Sequence, residues 1–212
     1  MKKLWLFLLL AMIVVVAACA KAPSASTSQK DMPGFDSAVT GQGEGWEKSS
    51  EGKNFALWHH PGEGTYYYRI FDSEGNIREE GGYSFSKKQL FVEQISDSIV
   101  RIRSWTGVAP GTQWCRYYSA SRDAFSPVIW GVFDEFDELV VYQSTHRTLI
   151  VRNLFDEQTA QKEISTFSQP PAEIPAPFQN AQFSEDGKSV DVTYLVGEPE
   201  NLREITERIA LD

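Results

Sequence analysis

The chain has 212 residues, with 20 Lys+Arg against 29 Asp+Glu for a formal charge of -9, 42% apolar and 13% aromatic content, and two Cys. That length suits one domain with a real hydrophobic core, and the aromatic supply is not that of a disordered chain. The acidic balance removes nucleic acid from the expected partners, because phosphate contact needs a basic footprint.

The N-terminus reads as an address. Lys2 and Lys3 precede an uncharged run from Leu4 to Ala18. A spanning helix needs about 20 apolar residues, whereas a secretory h-region needs about 7–15. The run closes on Val16-Ala17-Ala18-Cys19, whose small side chains suit a signal-peptidase pocket. On the residues alone, an ordinary secretory peptide that contains Cys19 and an uncleaved anchor remain alternatives.

This segment resembles the lipobox of bacterial lipoprotein precursors. The resemblance implies a signal peptide at residues 1–18 and a lipid-modified Cys19 as first residue of the mature chain. It also implies localisation in the bacterial cell envelope, with the membrane as a partner through Cys19 and the domain outside the cytoplasm. Each buried methylene of an acyl chain contributes about 0.8 kcal/mol, so two or three chains hold firmly where one does not. Loss of Lys2 and Lys3 with the leader makes the remainder more negative, so lipid, not surface charge, would attach it to an anionic membrane.

Residues 19–45 read as a flexible tether, dominated beyond Cys19 by Ala, Ser, Thr, Gly and Pro. Such a stretch offers little apolar surface to offset its ordering entropy, and about 25 flexible residues reach roughly 25–30 Å. Gly41 to Gly45 has the look of a phosphate loop, but no strand precedes it, and it is read as linker.

Residues 46–212 read as a single all-β domain. Thr65 to Phe71 is β-branched and aromatic, and Asp72 to Asn76 supplies a turn. Further strands are expected at Gln89–Ile95, Ile99–Trp105, Gln113–Ser119, Val128–Phe133, Leu139–Gln143 and Thr148–Leu154. Short strands at this spacing indicate a propeller-like or sandwich arrangement of antiparallel strands. Asp156 to Glu163 is a candidate two-turn helix. Four prolines between Gln169 and Phe178 predict a loop. Glu204 to Leu211 reads as a strand, although Leu202, Ile205 and Ile209 at helical spacing leave an α+β alternative with a C-terminal helix.

Phe183 to Lys188, followed by Val190 to Tyr194, resembles the strand–Asp-Gly turn–strand unit of β-propeller repeats. On that resemblance Leu139–Tyr142 and Leu149–Arg152 would be the preceding strands of one blade. The turn has a local cause, since Asp-Gly permits the positive φ of a tight hairpin.

Motifs for chemistry are sparse. His59 and His60 are adjacent, and in a strand they would point to opposite faces and share no metal. His146 falls in an expected hairpin tip. Asp134-Glu135-Phe136-Asp137-Glu138 lacks the spacing of a calcium loop and reads as a solvated acidic turn. With Cys19 lipidated, Cys115 has no partner in the chain and reads as a buried inert thiol. No catalytic, cofactor-binding or metal-ligating residue is assigned.

The aromatics supply the remaining lead. Trp46, Trp58, Trp105, Trp114, Trp130, Tyr66–Tyr68 and Tyr117–Tyr118 are candidates for core packing or for an exposed platform that takes a glycan or protein ligand. In Tyr66–Tyr68, alternation suggests that one ring faces solvent. Trp105–Gly107 and Gly111–Trp114 flank a loop that reads as a recognition lip. Together these features suggest a lipid-anchored binding or envelope-structural module without catalysis. The alternatives are a small glycan-acting envelope hydrolase using Asp/Glu pairs, and an accessory lipoprotein of a transporter complex.

Overall fold

A computed structural model describes residues 31–84, 89–107, 112–156 and 161–211. Cys19 and the leader lie outside the described residues, as do 85–88, 108–111 and 157–160. Among the described residues no helix is long and apolar enough to cross a membrane.

The chain is all-β and folds into four consecutive antiparallel sheets. The first comprises β1 (Glu47–Gly52), β2 (Phe55–His60), β3 (Thr65–Phe71) and β4 (Ile77–Tyr83). The second comprises β5 (Phe91–Gln94), β6 (Ile99–Trp105), β7 (Gln113–Ser119), β8 (Ala124–Phe125) and β9 (Ile129–Trp130). The third holds β10 (Val132–Phe136), β11 (Leu139–Thr145), β12 (Thr148–Asn153) and β13 (Lys162–Ile164). The fourth holds β14 (Phe178–Phe183), β15 (Ser189–Val196) and β16 (Arg203–Ala210).

Alternation explains how these sheets stack. In β6, Val100, Ile102 and Ser104 face the first sheet, while Ile99, Arg101 and Arg103 face the other way. The register Ile99↔Ser119 through Trp105↔Gln113 puts Trp114, Arg116 and Tyr118 on the first of those faces and Cys115 and Tyr117 on the second. Both faces of the second sheet are therefore buried, which is why β7 carries large aromatic residues on both, Trp114 and Tyr118 on one and Tyr117 on the other. One apolar cluster joins the first and second sheets through Leu57, Tyr68, Ile70, Ile102 and Trp114. Another joins the second and third through Ile99, Tyr117, Ile129 and Val140. A third joins the third and fourth through Val141, Val151, Phe178, Val190 and Val192. Among the described residues none of these clusters bridges the first sheet to the fourth, so the sheets form a sandwich-like stack.

Several expectations change. The α+β alternative falls, because residues 203–210 pair with β15 along their whole length. Of the expected helix at 156–163, residues 157–160 lie outside the described residues, and Lys162 and Glu163 belong to a strand that continues the third sheet beside β12. Strands β11 and β12 belong to the third sheet, not to the sheet of the 183–194 hairpin, so the imagined blade is divided between two sheets. The hairpin itself forms, with Gly187 at φ +68. The single strand expected at 128–133 is split by Gly131. There the chain leaves the second sheet for the third: Gly131 N donates to Gln113 O of the second sheet at 2.9 Å, and Gln143 N of the third donates to Gly131 O at 3.0 Å. Its φ of +65 and the Gln143 carbonyl oxygen 3.2 Å from any added Cβ favour glycine here.

The tether is also shorter than read. Met32 is 2% exposed and joins the first core cluster, with Phe35 packed against it. Asp36 N donates to Gly82 O at 3.0 Å. A few apolar side chains dock a stretch whose average composition reads as linker.

Candidate functional site

Two kinds of polar site emerge: ionic latches between sheets, and one cleft at the outer face of the first sheet.

The latches hold most of the carboxylates that sequence reading left in solvent. Between the first and second sheets Arg116, 1% exposed, meets Glu79, whose Oε1 and Oε2 lie 2.7 and 2.9 Å from its Nη1. Tyr68 Oη donates to the same carboxylate at 2.9 Å, and the Phe125 ring lies 4.3 Å below the guanidinium. Between the second and third sheets, Arg101 Nη1 binds both Glu135 oxygens at 2.9 and 2.8 Å, and Tyr117 Oη donates to Glu135 at 2.5 Å. Arg101 and Arg103 also converge on Glu93. Burial works against the Arg101 charge, but the Glu135 carboxylate outweighs it and raises the guanidinium pKa. Between the third and fourth sheets, Asp134 Oδ2 accepts the Phe183 amide at 2.8 Å, and burial lifts its pKa above the ordinary value.

The acidic stretch 134–138 is therefore not a free solvated turn. Asp134 and Glu135 lie within β10, and Asp137, at φ +51, and Glu138 form the bend, with Glu138 paired to Arg122. Glu135 and Glu138 find partners 34 and 16 residues away, beyond the reach of local pattern.

The cleft has a different construction. On the outer face of the first sheet Ala56, Trp58 and His60 alternate with inward Phe55, Leu57 and His59, and Thr65, Tyr67 and Arg69 lie across from them. Residues 36–46 run over this face as a strap. Gly41, at φ +64, sits on the Tyr67 ring where any Cβ would collide. Trp46 packs edge-on to His60 at 5.4 Å and to Tyr67 at 6.3 Å. His60 Nε2 meets the Glu44 carbonyl at 3.2 Å. Between strap and sheet lies a cleft of about 370 Å³, lined by residues that include Asp36, Gln42, Glu44, Trp46, His60, Glu63 and Thr65.

Gly82 sets the strap's height: a Cβ there would stand 2.5 Å from the Val39 carbonyl oxygen and 2.6 Å from that of Asp36. Gly82→Ala is expected to lift the strap and open the cleft while the sheets stay folded. Faster hydrogen exchange at the Asp36 and Val39 amides, with unchanged far-UV circular dichroism, checks it.

The aromatic leads divide. Tyr66, Tyr67 and Tyr68 are all buried, two of them by the second sheet and Tyr67 by the strap, so none is the expected solvent-facing ring. Trp114, Tyr117 and Tyr118 are core residues. Trp58 and Tyr67 stay beside the strap, with the Arg69 guanidinium 5.6 Å from each ring. Trp105 packs on Phe91 at 5.5 Å with Arg103 against both rings, and the loop it was to flank lies outside the described residues. Trp130 is the large aromatic left exposed, at 43%.

Of the other singled-out residues, His59 stacks on Tyr66 at 4.6 Å on the face opposite His60, and His146 lies at the β11–β12 tip. Cys115 is fully buried, and loss of solvent pushes its thiol up to about 11, so it stays protonated and unreactive at neutral pH. Among the described residues no three His, Cys, Asp or Glu side chains converge as metal ligands. The cleft was missed in sequence because its strap reads as linker. The one available signal was Trp46 and Val39 interrupting the polar run.

No protein-family model matches the chain, and no curated protein matches it.

Proposed function

We propose that the chain is an extracytoplasmic lipoprotein of the bacterial envelope, anchored through Cys19, whose all-β domain is a non-catalytic binding module. The observation that supports binding is the cleft between the strap and the first sheet, with an aromatic wall at Trp46 and His60 and polar groups around its rim. The composition of the leader supports the anchor: a short positive start, an uncharged run too brief to span, and small residues before Cys19. The engaged state of Glu79, Glu93 and Glu135, each held by arginine, favours binding over a hydrolase built on these carboxylates.

Cys19→Ala tests the anchor. Expressed in a bacterial host, the native chain is expected in the detergent phase of a Triton X-114 partition and the variant in the aqueous phase. Retention of the variant with the membranes, or an intact mass with unmodified Cys19 in the native protein, overturns the reading.

A further inference from the structure

Among the described residues, the sheet edges are blunted in the ways β proteins use against stray pairing, with one exception. A register shift interrupts β1 at Lys48/Ser50, β10 at Val132/Asp134 and β14 at Phe178/Asn180. Residues 34–36 cover the end of β4 through the Phe35↔Tyr83 bridge. Strands β5, β8, β9 and β13 have four residues or fewer.

The exception is β16, at the end of the fourth sheet. Its eight residues run against β15 in one unbroken register, from Ser189↔Ala210 to Val196↔Arg203. Leu211 N donates to Lys188 O, and hydrogen-bonded pairs alternate along an antiparallel ladder. Arg203, Ile205, Glu207 and Ile209 therefore turn their backbone groups to β15, and Glu204, Thr206, Arg208 and Ala210 turn theirs outward. The Ala210 carbonyl agrees with this phase, since it accepts Lys162 Nζ at 2.6 Å. Among the described residues no strand pairs with the outward groups of Glu204, Thr206 and Arg208.

The side chains on this edge carry their own complement. Glu204, Thr206 and Arg208 are exposed on the outer face of the sheet. Arg208 binds Asp191 of β15 at 2.7 and 2.6 Å, and Thr206 Oγ1 lies 2.8 Å from Thr193 Oγ1. Glu204 stands across from Leu195 and has no ion-pair partner among the described residues. A charged edge repels most strands. A second copy related by a two-fold axis through Thr206 is different, because antiparallel pairing then sets Thr206 opposite Thr206 and each Glu204 opposite an Arg208. Sliding the register by two residues loses this match. One direction sets Glu204 against Thr206, and the other sets it against Ala210, whose carbonyl is already engaged.

From this self-complementarity we propose that β16 is a dimerisation strand whose partner is a second copy of the chain. The two strands pair antiparallel about Thr206 and join two fourth sheets into one continuous sheet, an isologous contact. The Thr206 pair supplies two backbone hydrogen bonds, and each Glu204–Arg208 pair supplies two more. On the outer face each Glu204 carboxylate meets the guanidinium of the other copy's Arg208.

The test is sedimentation equilibrium of the full-length protein in density-matched detergent, where a dimer that grows with protein concentration is expected. Glu204→Arg and Arg208→Glu each set like charges opposite one another, and each is expected to weaken dimerisation at least about tenfold. Both positions are exposed, and the second gives up only an exposed ion pair, so the fold is kept. An equimolar mixture of the two variants is expected to recover the dimer, because every arginine of one then meets a glutamate of the other. In a hydrogen-bonded pair the two Thr206 Cα atoms stand about 5.5 Å apart, within reach of a disulfide. Mild oxidation of Thr206→Cys is therefore expected to give at least about fivefold more disulfide-linked dimer than Thr193→Cys, one strand further in. A monomer at every concentration, a dimer that both single variants retain, a mixture no better than its components, or equal crosslinking of the two cysteine variants overturns the proposal.

Discussion

Glu79→Gln is expected to destabilise the domain by about 3–5 kcal/mol, the usual cost of leaving a buried charge without its counter-ion. Arg116 is 1% exposed and its Glu79 partner is nearly as buried, with 11% of the side chain accessible. The amide of glutamine still offers an oxygen to Tyr68, so the hydroxyl keeps an acceptor and the loss falls on the ion pair. Glu79→Ala removes the charge and the side-chain volume together and should cost more, because the buried site is left with a void as well. The triple variant Tyr68→Phe/Glu79→Leu/Arg116→Met removes the three polar groups together and is expected within about 1–2 kcal/mol of the parent. Urea unfolding followed by tryptophan emission measures all three, since Trp114 lies in the same cluster. If Glu79→Gln costs under about 1 kcal/mol, the ion pair is solvated and does not seal this interface.

That latch illustrates what a sequence conveys and what it withholds. The strands at 99–105 and 113–119 are legible to the residue, the first because it alternates on a period of two from Val100 to Trp105, the second from its bulky aromatic residues. Alternation also reveals that β6 has two distinct faces. It does not reveal that both are covered, which depends on a third sheet more than ten residues downstream. Arg116 reads as an outward charge, yet it stands between Trp114 and Tyr118 on one face, and that setting is the signal that it is buried. Gly131 went unnoticed because a change of sheet inside an apolar run leaves no periodicity to break; only its positive φ betrays it. The strap failed for a compositional reason. Met32, Phe35 and Val39 are too few to register in an average over Ala, Ser and Gly, although three well-placed contacts suffice to dock a short segment. The cleft depends on that strap and was hidden with it.

The second sheet–third sheet latch is expected to separate charge from hydrogen bonding. Glu135 receives two bonds from Arg101 and one from the fully buried Tyr117 hydroxyl. Glu135→Gln keeps an oxygen for Tyr117 and loses the charge that holds Arg101. Arg101 retains Glu93, 2.9 Å from Nη2, so the expected cost is smaller than at Arg116, about 1–2 kcal/mol. Glu135→Ala also strands the hydroxyl, and the cost should rise to about 3–4 kcal/mol. Tyr117→Phe removes the donor and leaves Glu135 bound to Arg101, at about 1 kcal/mol. In the double variant Tyr117→Phe/Glu135→Ala no hydroxyl is stranded, so it should be more stable than Glu135→Ala alone. That reversal is the decisive readout in chemical denaturation. If adding Tyr117→Phe instead lowers stability further, the Tyr117 hydroxyl has another acceptor once Glu135 is gone, and Glu135 acts only as a counter-ion for Arg101.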